Sequence, residues 1–281
     1  MLTLRQATID DVPAIRELLD RAGRVMLRFR NQELTTHVER QPFLLAQQGG
    51  RLRGFLACPL LRPPRALLAA AGLADDWTIE SWLDVLLPPC EARLRALGAT
   101  SISYTGAADW LIDPLQARGF SRVSEIVAYE KTGCASPISG NQQVGVRPVR
   151  PTDFPILAAI DRLVFHPTWH NSAATLFGWQ RRLPFFVVAL AQDETPVGYC
   201  FVTVEGHHGH LIRIAVHPAW QGQGIGARLM AEAMAFFAGA GVQIVTLNTQ
   251  EENERSQRLY RKFGFRWMGR DAVALWKELS G

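Results

Sequence analysis

Cysteine is scarce in this chain of 281 residues: Cys58, Cys90, Cys134 and Cys200 stand far apart and form no C-x-x-C pair. That spacing excludes a zinc ribbon, a redox dithiol and a disulfide scaffold, and it fits a reducing compartment. Lysine is scarcer, with Lys131, Lys262 and Lys277 alone, so arginine carries the net charge of +4. The basic residues are interleaved with acids and form no run. A nucleic-acid binder concentrates its charge, so no nucleic-acid partner is expected. Long hydrophobic runs are missing as well. The longest, residues 66–74, is too short to span a bilayer. The opening stretch MLTLRQATIDDVPAI carries acids where a secretory signal would be apolar. We expect a cytoplasmic protein without a membrane partner.

What is present is ample apolar material, 48% of residues against 20% charged, in a length suited to two ordinary domains. The halves share an outline. LRQATIDDVP at 4–13 and VRPVRPTDFP at 146–155 repeat Arg5, Asp11 and Pro13 as Arg147, Asp153 and Pro155. Each reads as a short strand, a turn with an acidic N-cap and an amphipathic helix, over 12–19 and 154–163. Later, a helix ending at glycine, a strand, and a second helix closing at Gly-Phe recur in both halves, with Phe120 and Phe265 as the closing residues. This order predicts a tandem repeat of one fold: a first domain over 1–132, a Gly/Ser/Asn/Gln-rich linker at 133–143, and a second domain over 144–281.

In the second half, 185–191, 197–205 and 210–216 read as strands joined by short polar turns, an antiparallel meander. A helix over 227–237 and a strand over 242–248 follow. Between the third strand and the helix lies HPAWQGQGIGARLMAEA. Gly222, Gly224 and Ala227 satisfy G-x-G-x-x-A, but five residues separate the strand from Gly222 and the approach is antiparallel. The following strand ends at Asn248 rather than an acid, so a dinucleotide fold is excluded. No Lys-Ser or Lys-Thr follows, which excludes a P-loop. What remains is a run of backbone N–H groups from Gln221 to Ala227 at a helix N-terminus, suited to a phosphate. His207, His208 and His210 lack a partner cysteine or acid, and no metal is expected.

The run Val216-x-x-x-x-Gln221-x-x-Gly224-x-Gly226 resembles the acyl-CoA pyrophosphate motif of the GNAT N-acetyltransferase superfamily. NERSQRLYRKFGF at 253–265 is similar to its second signature, N-x-x-A-x-x-x-Y-x-x-x-GF, with Ser256 in place of alanine. The C-terminal half also looks like the ribosomal-protein N-terminal alanine acetyltransferases, and the tandem outline is similar to two-domain members of the superfamily. The resemblance implies an α/β (α+β) fold, a tandem in which each domain has a mixed, mostly antiparallel sheet flanked by helices. It implies acetyl transfer from acetyl-CoA to a primary amine, a small molecule or a peptide N-terminus, by direct attack in a ternary complex.

On the same resemblance, Ile214, Ala215 and Val216 pair with the pantetheine arm. Gln221, Gly222, Gln223, Gly224, Ile225, Gly226 and Ala227 hold the pyrophosphate, with Asn253 orienting the cofactor or a backbone carbonyl. Tyr260 protonates the departing thiolate. The base stays open: Asn248 stands where the alanine acetyltransferases carry glutamate, and His210 or Glu205 either relays a proton through water or has only a surface or turn role. Residues 165–180, with Trp169, His170, Asn171 and Trp179, form one wall of the acceptor pocket. A rival from another class is a non-catalytic acyl-CoA sensor or interaction module. In the first half, Thr78, Ser81 and Leu83 fall opposite Gln221, Gly224 and Gly226, and Leu115 opposite Tyr260. That copy is expected neither to bind CoA nor to catalyse. Nothing in the sequence fixes the oligomeric state.

Overall fold

A computed structural model describes residues 1–61 and 63–279. The chain divides into two compact units: Met1–Ser124 with the stretch from Ala272 onward, and Glu125–Asp271.

In the first unit the elements are β1 (Leu2–Gln6), α1 (Val12–Arg21), β2 (Arg24–Leu27), α2 (Leu34–Val38), β3 (Phe43–Gln48) and β4 (Arg51–Ala57). They continue with β5 (Arg65–Leu67), β6 (Ala70–Leu73), α3 (Ile79–Ala96), β7 (Ser101–Gly106), α4 (Asp109–Gln116) and β8 (Ser121–Thr132), the last running on into the second unit. An antiparallel sheet has the order β1-β3-β4-β6-β2, and β5 pairs parallel with β7. The second unit adds β9 (Gly145–Pro148), α5 (Phe154–Val164), α6 (Ala173–Gln180), β10 (Phe185–Leu190), β11 (Pro196–Glu205) and β12 (His208–Val216). α7 (Ile225–Gly239), β13 (Ile244–Gln250), α8 (Glu254–Lys262) and β14 (Arg266–Glu278) complete it, and the end of β14 returns to the first unit. Its strand order is β8-β13-β12-β11-β10-β9, antiparallel except for the β12–β13 pair. This is the expected α/β class, mostly antiparallel sheets flanked by helices.

The strand pairings explain where the units divide. Ile126–Thr132 of β8 pair with Gln250–Ile244 of β13, so this stretch of the sequence's first half serves the second unit's sheet. Val273–Glu278 of β14 pair with Gly106–Ser101 of β7, and Leu275 and Leu279 are buried in the first unit's core. Composition suggested a cut at 132, because the pairing of a strand with a distant partner leaves no local mark.

The repeated arginine and aspartate have a common physical cause. In each copy the guanidinium grips the carboxylate from the preceding strand, Arg147 at 2.7 and 2.9 Å from Asp153 and Arg5 likewise with Asp11. The same carboxylate accepts the backbone N–H three residues back, Thr8 at 2.8 Å and Arg150 at 2.7 Å. One acid therefore ties strand, turn and helix together at the start of each copy. Hydrogen bonding to Arg5 pulls Asp11 down to about 2 against the opposing effect of burial. At Asp153 burial pushes upward, and the Arg147 fork and Arg150 amide outweigh it to leave the carboxyl lowered.

β10 and the buried stretch of β11, residues 197–202, are apolar because both faces are covered. Phe186, Val188, Tyr199 and Phe201 pack with α5 and α6, while Val187, Ala189, Cys200 and Val202 pack with Leu229, Met230, Ala233 and Phe237 of α7. At the period of two, successive residues alternate between these cores.

Candidate functional site

The site begins where two strands part. β12 and β13 pair in parallel from His208/Ile244 to Leu211/Leu247 and no further, although β12 runs on to Val216 and β13 to Gln250. A bulge coincides with the parting. Phe201 lies opposite Arg213 and Val202 opposite Leu211, so Ile212 is an extra residue in β12. A bulge bends its strand and raises the local twist, which carries 213–216 away from β13.

This leaves a strand edge open. His217 N–H donates to Val197 O at 2.8 Å, which sets the antiparallel alternation. Ala215 then faces β11, and the backbone groups of Ile214 and Val216 face the gap. One of them is already engaged, because Gln221 Nε2 donates to Val216 O at 2.9 Å.

Past the strand, a 3-10 turn (Pro218–Trp220) leads to an extended Gln221, then Gly222 at φ +83° and Gly224 at φ +78°. These left-handed angles favour glycine. Gly224 is the N-cap of α7, and the first intrahelical bond runs from Arg228 N–H to Gly224 O at 3.0 Å. The amides from Gly224 to Ala227 thus have no partner within the helix and share its positive end. At the corresponding helix of the first unit, α3, the N-cap is Thr78, whose hydroxyl accepts the Ser81 N–H. The two loops therefore correspond with Thr78 opposite Gly224, a three-residue shift from the sequence alignment that put Ser81 there. The shift arises because the first copy has a shorter approach to its helix.

Gly222, Gly224, Ile225, Gly226, Ala227, Gln221, Ile214, Ala215, Val216 and Asn253 all line one cavity of about 740 Å³ in the second unit. Of the residues expected to hold or act on the cofactor, Gln223 and Tyr260 are not on its wall; of those expected to wall the acceptor pocket, Trp169 is on it and His170, Asn171 and Trp179 are not. Gln223 reaches back to Ala219 O. Tyr260 is 4% exposed and packs against Tyr129 and Phe265, at 5.9 and 6.2 Å between ring centroids. Burial pushes its hydroxyl up to about 12, with hydrogen bonds to Ser256 and Thr249 working the other way. Ser256, one turn earlier on α8, does line the cavity, so Tyr260 stands directly behind it. Asn253 caps α8 by accepting the Ser256 N–H at 3.1 Å.

Three contributions were not legible in the sequence. The first is the segment expected to be a linker. Asn141 donates its N–H to Gly224 O at 3.1 Å and its Nδ2 to Gln223 O at 2.9 Å, and Ile138 joins the cavity wall. A Cβ at Gly140 would collide with the backbone of Ala227 and Arg228, so glycine is required for this close approach. Gly, Ser, Asn and Gln gave the segment a linker's composition, but here they make a backbone-to-backbone clasp. Its only sequence signal is that glycine and asparagine are adjacent.

The second is Arg213. Asp161 is fully buried and accepts the Arg213 fork at 2.7–3.0 Å, the Tyr199 hydroxyl, and the Asn171 N–H at 2.7 Å. Arg213 also donates to Trp169 O at 2.6 Å and lies 3.6 Å over the Phe165 ring. Phe165, His166 and Trp169 form the wall facing β12, so this network fastens the wall to the bulged strand. Asn171 itself is buried beneath this wall. The third is a line of cations on α8, Arg255, Arg258 and Lys262, on the same cavity. Arg255 hydrogen-bonds Gln221.

The alternatives for a base are placed apart from the wall. His210 bonds Thr246 Oγ1 at 2.9 Å and burial lowers its pKa, while Glu205 is at the exposed end of β11. Glu252 and His166 are the acid and imidazole on the wall. His166 Nδ1 accepts the Thr168 N–H, which leaves the proton on Nε2 in the neutral ring. Among the described residues no three His, Cys, Asp or Glu are grouped to hold a metal, and no helix is long and apolar enough to cross a membrane.

Residues 152–265 match the acetyltransferase (GNAT) family. The peptidyl-lysine N-acetyltransferase YjaB of Salmonella typhimurium is 34% identical over 90 residues, 32% of this chain and 55% of that protein. The N-alpha-acetyltransferase RimI of Mycobacterium tuberculosis is 41% identical over 56 residues, 20% of this chain and 34% of RimI. The chain spans about half the length of the curated relatives it matches. A tandem GNAT protein from the clavulanic acid biosynthesis pathway superimposes with a TM-score of 0.64 at 14% identity, over 100% of this chain and 99% of that one. At that identity the likeness is one of fold.

Proposed function

With a GNAT acetyltransferase match across residues 152–265 as the premise, we propose that the second unit transfers an acetyl group from acetyl-CoA to a primary amine. The observation that carries this reading is that one cavity joins the open edge of β12 to the uncapped N-terminus of α7. A linear ligand with amides at one end and a diphosphate at the other suits both.

The fit is specific to the residues present. The amides of Gly224, Ile225, Gly226 and Ala227 are the donors for the diphosphate, and no Cβ obstructs approach at Gly222. Ile214, whose backbone faces the gap, adds the pantetheine arm as a further strand. Acetyl-CoA, when bound, supplies the acyl group as a thioester. A strand N–H aimed at the gap polarises a carbonyl placed there and stabilises the oxyanion as the amine attacks. The amine enters between β12 and the Phe165–Trp169 wall, and no cysteine is required.

Tyr260 holds the proton. With its pKa near 12 the phenol stays protonated at neutral pH, and it gives up the proton only as negative charge develops on the leaving sulfur. Because Ser256 occupies the wall in front of it, the Ser256 hydroxyl hands its proton to the thiolate while accepting the one from Tyr260. The names of YjaB and RimI support peptide amines, lysine or N-terminal, as the first acceptors to try. The test is release of free thiol from acetyl-CoA with peptides, amino acids and polyamines as acceptors. Amine-dependent thiol release is expected. Tight acetyl-CoA binding without release for any amine would instead favour an acyl-CoA sensor.

A further inference from the structure

Each unit has a strand edge beside its parting strands, and the two edges are treated in opposite ways. In the first unit β5 pairs with β7, and β6 then turns its edge to β2 instead. Arg28 N–H donates to Ala69 O at 2.9 Å, so the backbones of Ala71 and Leu73 face β2. The Arg28 side chain reaches Thr105 O of β7. Register puts Leu73 opposite Gly54 and Val216 opposite Gly198, which makes Ala71 and Leu73 the counterparts of Ile214 and Val216. The edge that stands open in the second unit is therefore filled in the first by its own chain. The filling segment, 24–27, follows that unit's first helix, and the segment that follows α5 in the second unit is the Phe165–Trp169 wall.

Three residues separate these outcomes. Strand register and the shared Pro13 and Pro155 place Leu19, Phe55 and Ala70 where the second unit has Asp161, Tyr199 and Arg213. Leu19, Phe55 and Ala70 belong to one apolar core together with Leu27 of β2, so the chain after α1 settles directly on the sheet. In the second unit the polar network takes their place and grips the following segment at both ends. The Arg213 guanidinium lies 3.6 Å over the Phe165 ring and donates to Trp169 O at 2.6 Å, and Asp161 accepts the Asn171 N–H at 2.7 Å. An unpaired strand edge is a template for any nearby extended segment. We infer that Asp161, Tyr199 and Arg213 form a strut that keeps residues 165–169 off the edge of β12. Without it this segment closes the cleft, as β2 closes the first. Arg213 is thus a positioning residue that acts through Phe165 and Trp169. The strut stands on the fold alone, and only the ligand used to probe it rests on the proposed donor.

The test gives the second unit the first unit's residues. Asp161→Leu/Tyr199→Phe/Arg213→Ala removes the network as a whole and strands no buried charge. In the full chain without ligand, hydrogen exchange at the Ile214 and Val216 amides is expected to be fast in wild type. In the variant it should be at least about 10-fold slower, because the edge becomes paired. A role in stability alone speeds exchange instead. Calorimetry should show acetyl-CoA binding weakened at least about 10-fold, since only molecules with an open cleft bind. Protection of both amides already in wild type, or exchange in the folded variant that is unchanged or faster, overturns the inference. If the triple variant does not fold, Asp161→Asn/Arg213→Met is read in the same way, because the new amide still accepts from Tyr199 and Asn171. Wild type that binds no acetyl-CoA overturns the donor reading alone, since the exchange measurement needs no ligand.

Discussion

At the residue scale, the site depends on side chains that are buried rather than displayed. Tyr260 lies behind the wall, so the role proposed for it rests on a proton and not on contact area. Tyr260→Phe is expected to lower kcat about 100-fold while leaving acetyl-CoA affinity unchanged, measured by thiol release and by calorimetry. Unchanged turnover with chemistry rate-limiting would remove Tyr260 from the mechanism. Its raised pKa also has a sign. Between pH 10 and about 12 the folded protein keeps a proton that the unfolded chain has lost, so this group's contribution to stability falls as pH rises through that window. Chemical denaturation of wild type and Tyr260→Phe across pH 9–12 should show a shallower alkaline decline for the variant. Asp161 is the more sensitive residue for folding. Asp161→Ala strands Arg213 and Tyr199 without their partner and is expected to cost about 3–5 kcal/mol, read from the denaturation midpoint.

At the element scale, the same short devices recur in both copies with different consequences. Arg5–Asp11 and Arg147–Asp153 staple each copy's opening strand to its first helix. Both aspartates titrate below their ordinary value when folded, so the stability they confer is present above about pH 4. For Asp11 it is lost as pH falls from 3.8 toward 2. Asp11→Asn should therefore flatten the acid limb of the stability profile in that range. The helix N-termini diverge instead. Thr78 satisfies its own helix, whereas Gly224 leaves the end of α7 open and is held by Asn141. Gly140→Ala is expected to dislodge this clasp and weaken acetyl-CoA binding at least about 10-fold. Hydrogen exchange at residues 138–142 would report the release.

At the scale of the whole molecule, the units are built from interleaved parts of the sequence. The first unit's core includes Leu275 of β14 and Leu279 just beyond it. Truncation after Asp271 should therefore destabilise the first unit, by roughly 2–5 kcal/mol for each leucine lost from the core, and expose it to limited proteolysis. The sequence showed two copies because each reuses one local device, the arginine–aspartate staple and the Gly-Phe helix end. It showed the glycine loop because φ near +80° and an open helix end leave a residue-type signature. It did not show the exchange of strands, since β8 and β14 obey the same alternation whichever partner they find.

The sequence by itself determined the class of fold, the tandem repeat and the phosphate-suited loop, all of which are set by local backbone demands and short-range periodicity. Only the tertiary structure decided which side chains share the cavity. Tyr260 moved behind Ser256, residues 138–142 turned from linker into clasp, and Arg213 became the anchor of a wall built by residues forty-odd positions earlier. These placements depend on burial and on contacts between distant parts of the chain, and neither leaves a pattern in neighbouring residues.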